Sequence, residues 1–167
     1  MNTPAEQTLS EHSKREIDQW LSKFPPQQKQ SAVLAALREV QHENNGYLTQ
    51  PLMDAVADYL QMPKIAVYEV ASFYSMLETR PCGRHSISVC TNISCMLRGA
   101  DAMLQHIQHR FQLKPGESTA DGRFYLKQEE ECLAACCGAP MMMVDHTYHE
   151  NLTTEKIDAI LDALIDE

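Results

Sequence analysis

Four of the six cysteines fall into two tight pairs, Cys90-Thr91-Asn92-Ile93-Ser94-Cys95 and Cys132-Leu133-Ala134-Ala135-Cys136. Such pairs, in a chain whose first twenty residues lack the pattern of a secretory signal, read as a soft-metal site before they read as disulfides. Each pair can hold one metal centre from a single loop, provided the fold brings the loops together. Four thiolates suit a structural zinc or an iron–sulfur cluster. Zinc knuckles pair cysteines two to four residues apart, often as C-x2-C, and neither pair here is C-x2-C. The four-residue gap of the first pair fits a cluster better, while zinc stays open.

To serve as ligands, these cysteines need elements that position them. His85-Ser86-Ile87-Ser88-Val89 alternates polar and apolar residues, which predicts a strand that delivers Cys90 at its end. A long helix is expected from Met96 to Phe111, with Met96, Ala100, Met103, Leu104, Ile107 and Phe111 inward. Cys95 would then sit by the helix start, where free N–H groups and the positive end of the dipole favour thiolate sulfur. Asp121-Gly122 opens a strand over residues 123–127, Met141 to Val144 reads as a buried strand, and residues 146–151 as an edge strand. Thr153 caps a closing helix with Ile157, Ile160, Leu161 and Leu164 on one face.

Upstream the period is helical. Residues 1–9 look frayed. A first helix starts at a Ser10 or Ser13 cap, with Ile17, Trp20 and Leu21 on one face, and stops before Pro25-Pro26. A second is expected over residues 28–44, ended by Asn45-Gly46. A third follows a Thr49 or Gln50 cap with Pro51 in its first turn, and a fourth covers residues 64–76. Phe73 and Tyr74, near its end, either anchor an interface or pack under the first two helices. The expected fold class is α+β: a four-helix unit over residues 1–79, then an α/β domain with a small mixed sheet over residues 80–167.

At 167 residues with a formal charge of −9, the chain can bury a core and is a poor match for nucleic acid or an anionic membrane surface. No apolar run approaches the roughly eighteen residues of a membrane span. The expectation is a soluble intracellular protein. The six glycines never fall closer than six apart, so neither G-x-G-x-x-G nor G-x-x-x-x-G-K-[ST] occurs. By motif the chain has no nucleotide or flavin site of its own, and no acid/base or nucleophilic residue stands out.

A two-iron, two-sulfide centre on four thiolates carries a net charge of about −2 when oxidised and about −3 when reduced. In an acidic chain, with Glu129-Glu130-Glu131 abutting the second pair, the expected potential is low, on the order of −400 mV. Cys82 and Cys137 read as small, partly buried thiols. The pairs His106/His109 and His146/His149 read as surface positions, and Met141-Met142-Met143 as core strand.

Several motifs carry a resemblance. They are Asn45-Gly46-Tyr47-Leu48, Val70-Ala71-Ser72-Phe73-Tyr74, Pro81-Cys82-Gly83-Arg84, the C-x4-C pair, and Glu131-Cys132-Leu133-Ala134-Ala135-Cys136 leading into Gly138-Ala139-Pro140-Met141. Along nearly its whole length the chain resembles the small thioredoxin-like [2Fe-2S] subunit of the NADH-dehydrogenase module of respiratory complex I, the NuoE type. The resemblance implies a thioredoxin-like second domain and cluster ligation by Cys90, Cys95, Cys132 and Cys136. It further implies a flavoprotein partner carrying FMN and the NADH site, and a place on the cytoplasmic side of the inner membrane among the peripheral-arm subunits. Related subunits of soluble NAD-linked hydrogenases and formate dehydrogenases are an alternative host, and a zinc-stabilised interaction domain is the alternative class. One departure is Ala134, where glycine is common. Alanine prefers negative φ, so a somewhat different loop is expected there.

Overall fold

The computed structural model describes residues 8–128 and 132–165. The N-terminal stretch 1–7, expected to fray, and Glu129-Glu130-Glu131, expected to place charge beside the second cysteine pair, lie outside the described residues. The chain divides into two compact units, Met1–Pro81 and Cys82–Glu167.

The first unit is helical. In α1 (Glu11–Leu21) the Ser10 side chain accepts the Ser13 N–H at 2.9 Å, satisfying one of the orphan donors of the first turn. Both serine hydroxyls also donate to the Glu43 carboxylate at the end of α2 (Val33–Glu43), tying the two helices together. The expected helix over 28–44 begins late. Gln28 is non-helical and offers no side-chain cap, and Lys29–Ala32 forms a tighter 3-10 turn first. Asn45 and Gly46 then take positive φ and stop α2. Thr49 caps α3 (Gln50–Leu60), Gln61 ends it in the left-handed region, and α4 (Lys64–Phe73) follows Pro63.

Ile17, Ala36, Leu37, Val56, Ala57, Leu60 and Val67 are fully or almost fully buried at the centre of this unit. Trp20 is not among them. It is 41% exposed, with the Lys23 ammonium 3.6 Å from its ring centre, a cation–π contact that keeps the indole at the surface. The buried line of α1 runs through Ser13 and Ile17 toward Leu21, one turn apart, and Trp20 falls on its flank. Leu9 is buried, although the sequence suggested fraying there. Phe73 is 79% exposed at the end of α4.

The second unit is a four-stranded mixed sheet in the order β2-β1-β3-β4. β1 (His85–Val89) runs parallel to β2 (Phe124–Leu126), with Ile87 opposite Leu126. β3 (Met142–Val144) is antiparallel to β1, with Val89 opposite Met142. β4 (Thr147–His149) closes a hairpin on β3 through Asp145 and His146. Both turn residues have positive φ, the twist that matches a two-residue hairpin. Asp145 secures the turn by accepting the Ser86 N–H at 2.8 Å and facing His85 Nδ1 at 2.6 Å.

Parallel neighbours need a crossover, and α6 (Ala100–Phe111) lies within it. Ile107 of α6 and Ile157 and Leu161 of α7 (Thr154–Ala163) pack with Ile87, Val89, Phe124, Leu126, Met142 and Val144. The alternation along each strand puts these six on one face of the sheet. The two helices are joined to each other by His106 and Arg110 of α6, which both bind Asp158 of α7. The helix expected from Met96 to Phe111 is two helices. α5 (Ile93–Met96) ends before Gly99, whose φ of +90 breaks the run, and α6 starts anew. That break shifts the phase of the helix faces, so Met96 is exposed, contrary to expectation.

Candidate metal centre

β1 places Cys90 directly beyond its last residue, and α5 carries Cys95 one turn on. Asn92 caps α5 by accepting the Ile93 N–H at 2.8 Å. Cys90 and Cys95 are 2% and 1% exposed and share an apolar cluster with Ala100, Leu133, Ala139 and Met141. The second pair comes from a segment with little regular structure. Cys132 and Cys136 are both exposed, and only a 3-10 turn, Cys136–Gly138, is regular. Three backbone bonds anchor this segment: Cys90 N–H to Met141 O at 3.1 Å, Asn151 N–H to Gly138 O at 2.6 Å, and Leu152 N–H to Pro140 O at 2.9 Å.

The fold brings the two pairs together. The Cys90 sulfur meets the thiols of both Cys95 and Cys132, and Cys95 lies within electrostatic reach of Cys136. Burial pushes the Cys90 thiol up, but the N–H groups of Leu133 and Asn92, with the Cys95 and Cys132 thiols, outweigh it and hold Cys90 below its ordinary value. Burial and the adjacent Cys90 push Cys95 up to about 11, against a weaker opposing bond from the Met141 backbone. The two thiols titrate as a pair, and negative charge on one makes the other harder to ionise.

Backbone donors reach a third sulfur, since Ala134 N–H points at Cys132 Sγ from 3.3 Å. That bond depends on Ala134 having φ +58. The loop keeps the left-handed conformation that suits glycine, and the alanine accepts the strain instead of reshaping the loop. Its cost is on the order of 1–2 kcal/mol.

This donor set fits an iron–sulfur cluster: four soft sulfurs from two segments, with N–H groups directed at three of them. Among the described residues no three thiols lie mutually within 4.8 Å. The only metal-ligating group among them that meets that limit is His12, Glu39 and Glu43 in the helical unit, where Glu43 is already engaged by Ser10 and Ser13.

The remaining candidates take other roles. Cys82 is half-buried, as expected, whereas Cys137 is exposed. His106 serves Asp158, and Met141 and Met142 are core residues of the second unit. Sequence reasoning did not single out the N–H groups of Leu133, Ala134 and Met141. The presence of small residues between Cys132 and Cys136 was the one available signal.

Comparison with known proteins gives a consistent result. The family model described as thioredoxin-like [2Fe-2S] ferredoxin matches residues 17–165. The E subunit of the NADH-quinone oxidoreductase of Rickettsia bellii (strain RML369-C) is 42% identical over 144 residues, which cover 86% of this chain and 86% of that protein. The E subunit numbered 2 of the NADH-quinone oxidoreductase of Rhizobium meliloti (strain 1021) is 39% identical over 150 residues, covering 90% and 87%. Among solved structures, an NAD+-reducing [NiFe]-hydrogenase in the air-oxidized state aligns with a TM-score of 0.68 at 23% identity. That alignment covers 80% of this chain and only 23% of the hydrogenase chain, so it speaks for the fold alone. With four thiols gathered at one end of a small mixed sheet, and a family match spanning both units, the chain belongs to the thioredoxin-like [2Fe-2S] ferredoxin family.

Proposed function

We propose that this chain is the one-electron carrier subunit of an NADH:quinone oxidoreductase, complex I, with Cys90, Cys95, Cys132 and Cys136 as the ligands of its [2Fe-2S] cluster. The observation that carries this reading is the meeting of Cys90 with both Cys95 and Cys132, with Cys136 in electrostatic reach of Cys95. It occurs in a chain 42% identical over 144 residues to the E subunit of such an enzyme.

When bound, such a cluster accepts and releases one electron at a time. The chain's residues supply everything else. Cys90 and Cys95 hold one side of the centre in an apolar wall that excludes water. The N–H groups of Asn92, Leu133, Ala134 and Met141 stabilise negative charge on sulfur, opposing the low potential that the acidic chain favours. Cys132 and Cys136 stand on the exposed side, and Ile93, Met96 and Leu97 form an apolar rim around α5. Such a rim suits burial against a partner.

That partner is a flavoprotein subunit carrying FMN and the NADH site. NADH gives up two electrons together as hydride, so a flavin must stand between it and a one-electron centre. The helical residues 1–79 and the thioredoxin-like residues 80–167 act as separate domains in this assembly. Among the described residues no helix is long and apolar enough to cross a membrane. The chain sits in the peripheral arm on the cytoplasmic side, held through its neighbours. The hydrogenase and zinc alternatives are not favoured: the first rests on a fold-level likeness, and the family match to a [2Fe-2S] ferredoxin speaks against the second.

The test is enzymatic. The isolated cluster-loaded chain should not oxidise NADH with an artificial acceptor, even with FMN added, while dithionite reduces its cluster. Adding the flavoprotein should restore NADH oxidation. Turnover by the chain alone, or stoichiometric FMN retained through gel filtration, would overturn the reading.

A further inference from the structure

The second cysteine segment is covered by a residue distant from it in sequence. A Cβ placed on Gly138 would lie 2.3 Å from Glu150 Cδ, 2.4 Å from Oε2 and 2.5 Å from Cβ. The whole Glu150 side chain thus lies across the backbone two residues after Cys136. Its position is enforced locally. Asn151, the next residue, donates its N–H to Gly138 O, and Leu152 donates to Pro140 O. On the other side Lys156, in the first turn of α7, donates its ammonium to the Glu150 carbonyl. Gly138 is buried, whereas Glu150 is exposed. A carboxylate therefore lies over the backbone two residues after Cys136, and an ammonium is bonded to the same residue's carbonyl.

Resting on the ligand assignment above, we propose that Glu150 tunes the reduction potential of the centre downward and that Lys156 partly offsets it. Two residues span at most about 7 Å of backbone, so the carboxylate lies on the order of 10 Å from the centre. Adding an electron there brings negative charge toward a carboxylate. At an effective dielectric near 20, a unit charge at that range changes a one-electron equilibrium by roughly tenfold, and solvent screening reduces this to about three- to tenfold. Gly138 serves the same arrangement, because any side chain at that position would displace the carboxylate.

The experiment is a redox titration of the intact, cluster-loaded protein, read by the EPR signal of the reduced state. Glu150→Gln keeps the shape and removes the charge. It should raise the reduced-to-oxidised ratio at fixed potential about three- to tenfold, tenfold being about 59 mV for one electron. Lys156→Gln should shift it the opposite way by a smaller factor. Both shifts should shrink at high salt, with the EPR line shape and melting temperature unchanged. An unmoved midpoint in Glu150→Gln with a normal signal overturns the proposal. If Glu150→Gln fails to load a cluster, Lys156→Gln decides: a downward shift supports the proposal, and no shift overturns it, leaving Glu150 a purely structural role. A native protein with no reduced-state signal would instead overturn the cluster reading itself.

Discussion

Cys90 and Cys95 leave β1 and enter α5 almost without solvent contact, whereas Cys132 and Cys136 stand exposed on a segment with a single 3-10 turn. The first pair takes its geometry from regular structure: a strand hydrogen-bonded on both sides, a capped helical turn, and the Gly99 break that frees α5 from α6. The second has no ladder or helix of that length. Its place depends on three backbone bonds to other segments, a left-handed alanine and a glycine that leaves room for Glu150. Half the site is thus formed by the sheet, and half is held against it. The half with the weaker local structure should be the more easily lost, and the one that chain-distant residues control.

The largest test of this contrast removes the proposed ligands. Replacing Cys90, Cys95, Cys132 or Cys136 by Ser should abolish the reduced-state EPR signal of a two-iron cluster, while Cys82→Ser and Cys137→Ser should retain it. A normal signal in Cys90→Ser, or a lost one in Cys137→Ser, would break the ligand set.

Glycine replacements then compare the two segments. Gly138→Ala drives a Cβ into Glu150, including that residue's own Cβ. It should destabilise the protein by about 1–3 kcal/mol, the range for overpacking, and reduce cluster content. Gly99→Ala meets nothing within 4 Å and pays only for its φ of +90, on the order of 1–2 kcal/mol, with cluster content preserved. Denaturant melts with iron analysis check both. If Gly99→Ala lost the cluster and Gly138→Ala did not, the contrast would be reversed.

Ala134→Gly should act the other way. It relieves left-handed strain of about 1–2 kcal/mol but gives the unfolded chain extra freedom of about 0.4–1 kcal/mol. A net stabilisation of up to about 1.6 kcal/mol is expected, with a cluster that survives denaturant longer. A destabilised variant would mean that the alanine methyl makes a contribution of its own.

The smallest effect belongs to carboxylates outside the two segments, one in each unit. The Ser13 hydroxyl, with Ser10, holds the Glu43 carboxyl below its usual range. Burial pushes Asp158 up, but His106 and Arg110 outweigh it and hold this carboxyl low as well. Folded values below the unfolded ones mean stability that is fully present above about pH 4–4.5 and is lost as pH falls through the folded values. Melting temperature should therefore drop in acid, and Glu43→Gln should flatten that dependence. An unchanged acid slope in Glu43→Gln would remove this carboxylate from the account.

Much of the local structure was legible because its causes lie within a few residues of each other. Ser10, Thr49 and Thr153 each accept an N–H three residues on, and the alternation of Ile87 and Val89 in β1 is plain in the sequence. The thiol pairs and the chemistry they suit were also plain from spacing. Other features required the fold. Trp20 carries a helical pattern yet faces solvent beside Lys23, because one flank position cannot be resolved from periodicity. Gly99 is ambiguous in sequence, since glycine can sit in a helix or end one, and only the separate packing of α6 on the sheet selects the break. Ala134 reads as a negative-φ residue and takes the other sign, in a loop tied to distant segments through the Gly138 and Pro140 carbonyls.

By itself, then, the sequence determined residue chemistry, helix starts and strand alternation, all set by interactions over a few residues. Tertiary structure alone decided which thiols face protein and which face water, and that Glu150 lies over Gly138. Those outcomes depend on segments distant along the chain, whose meeting is set by burial of the sheet's apolar face, and no local pattern encodes it.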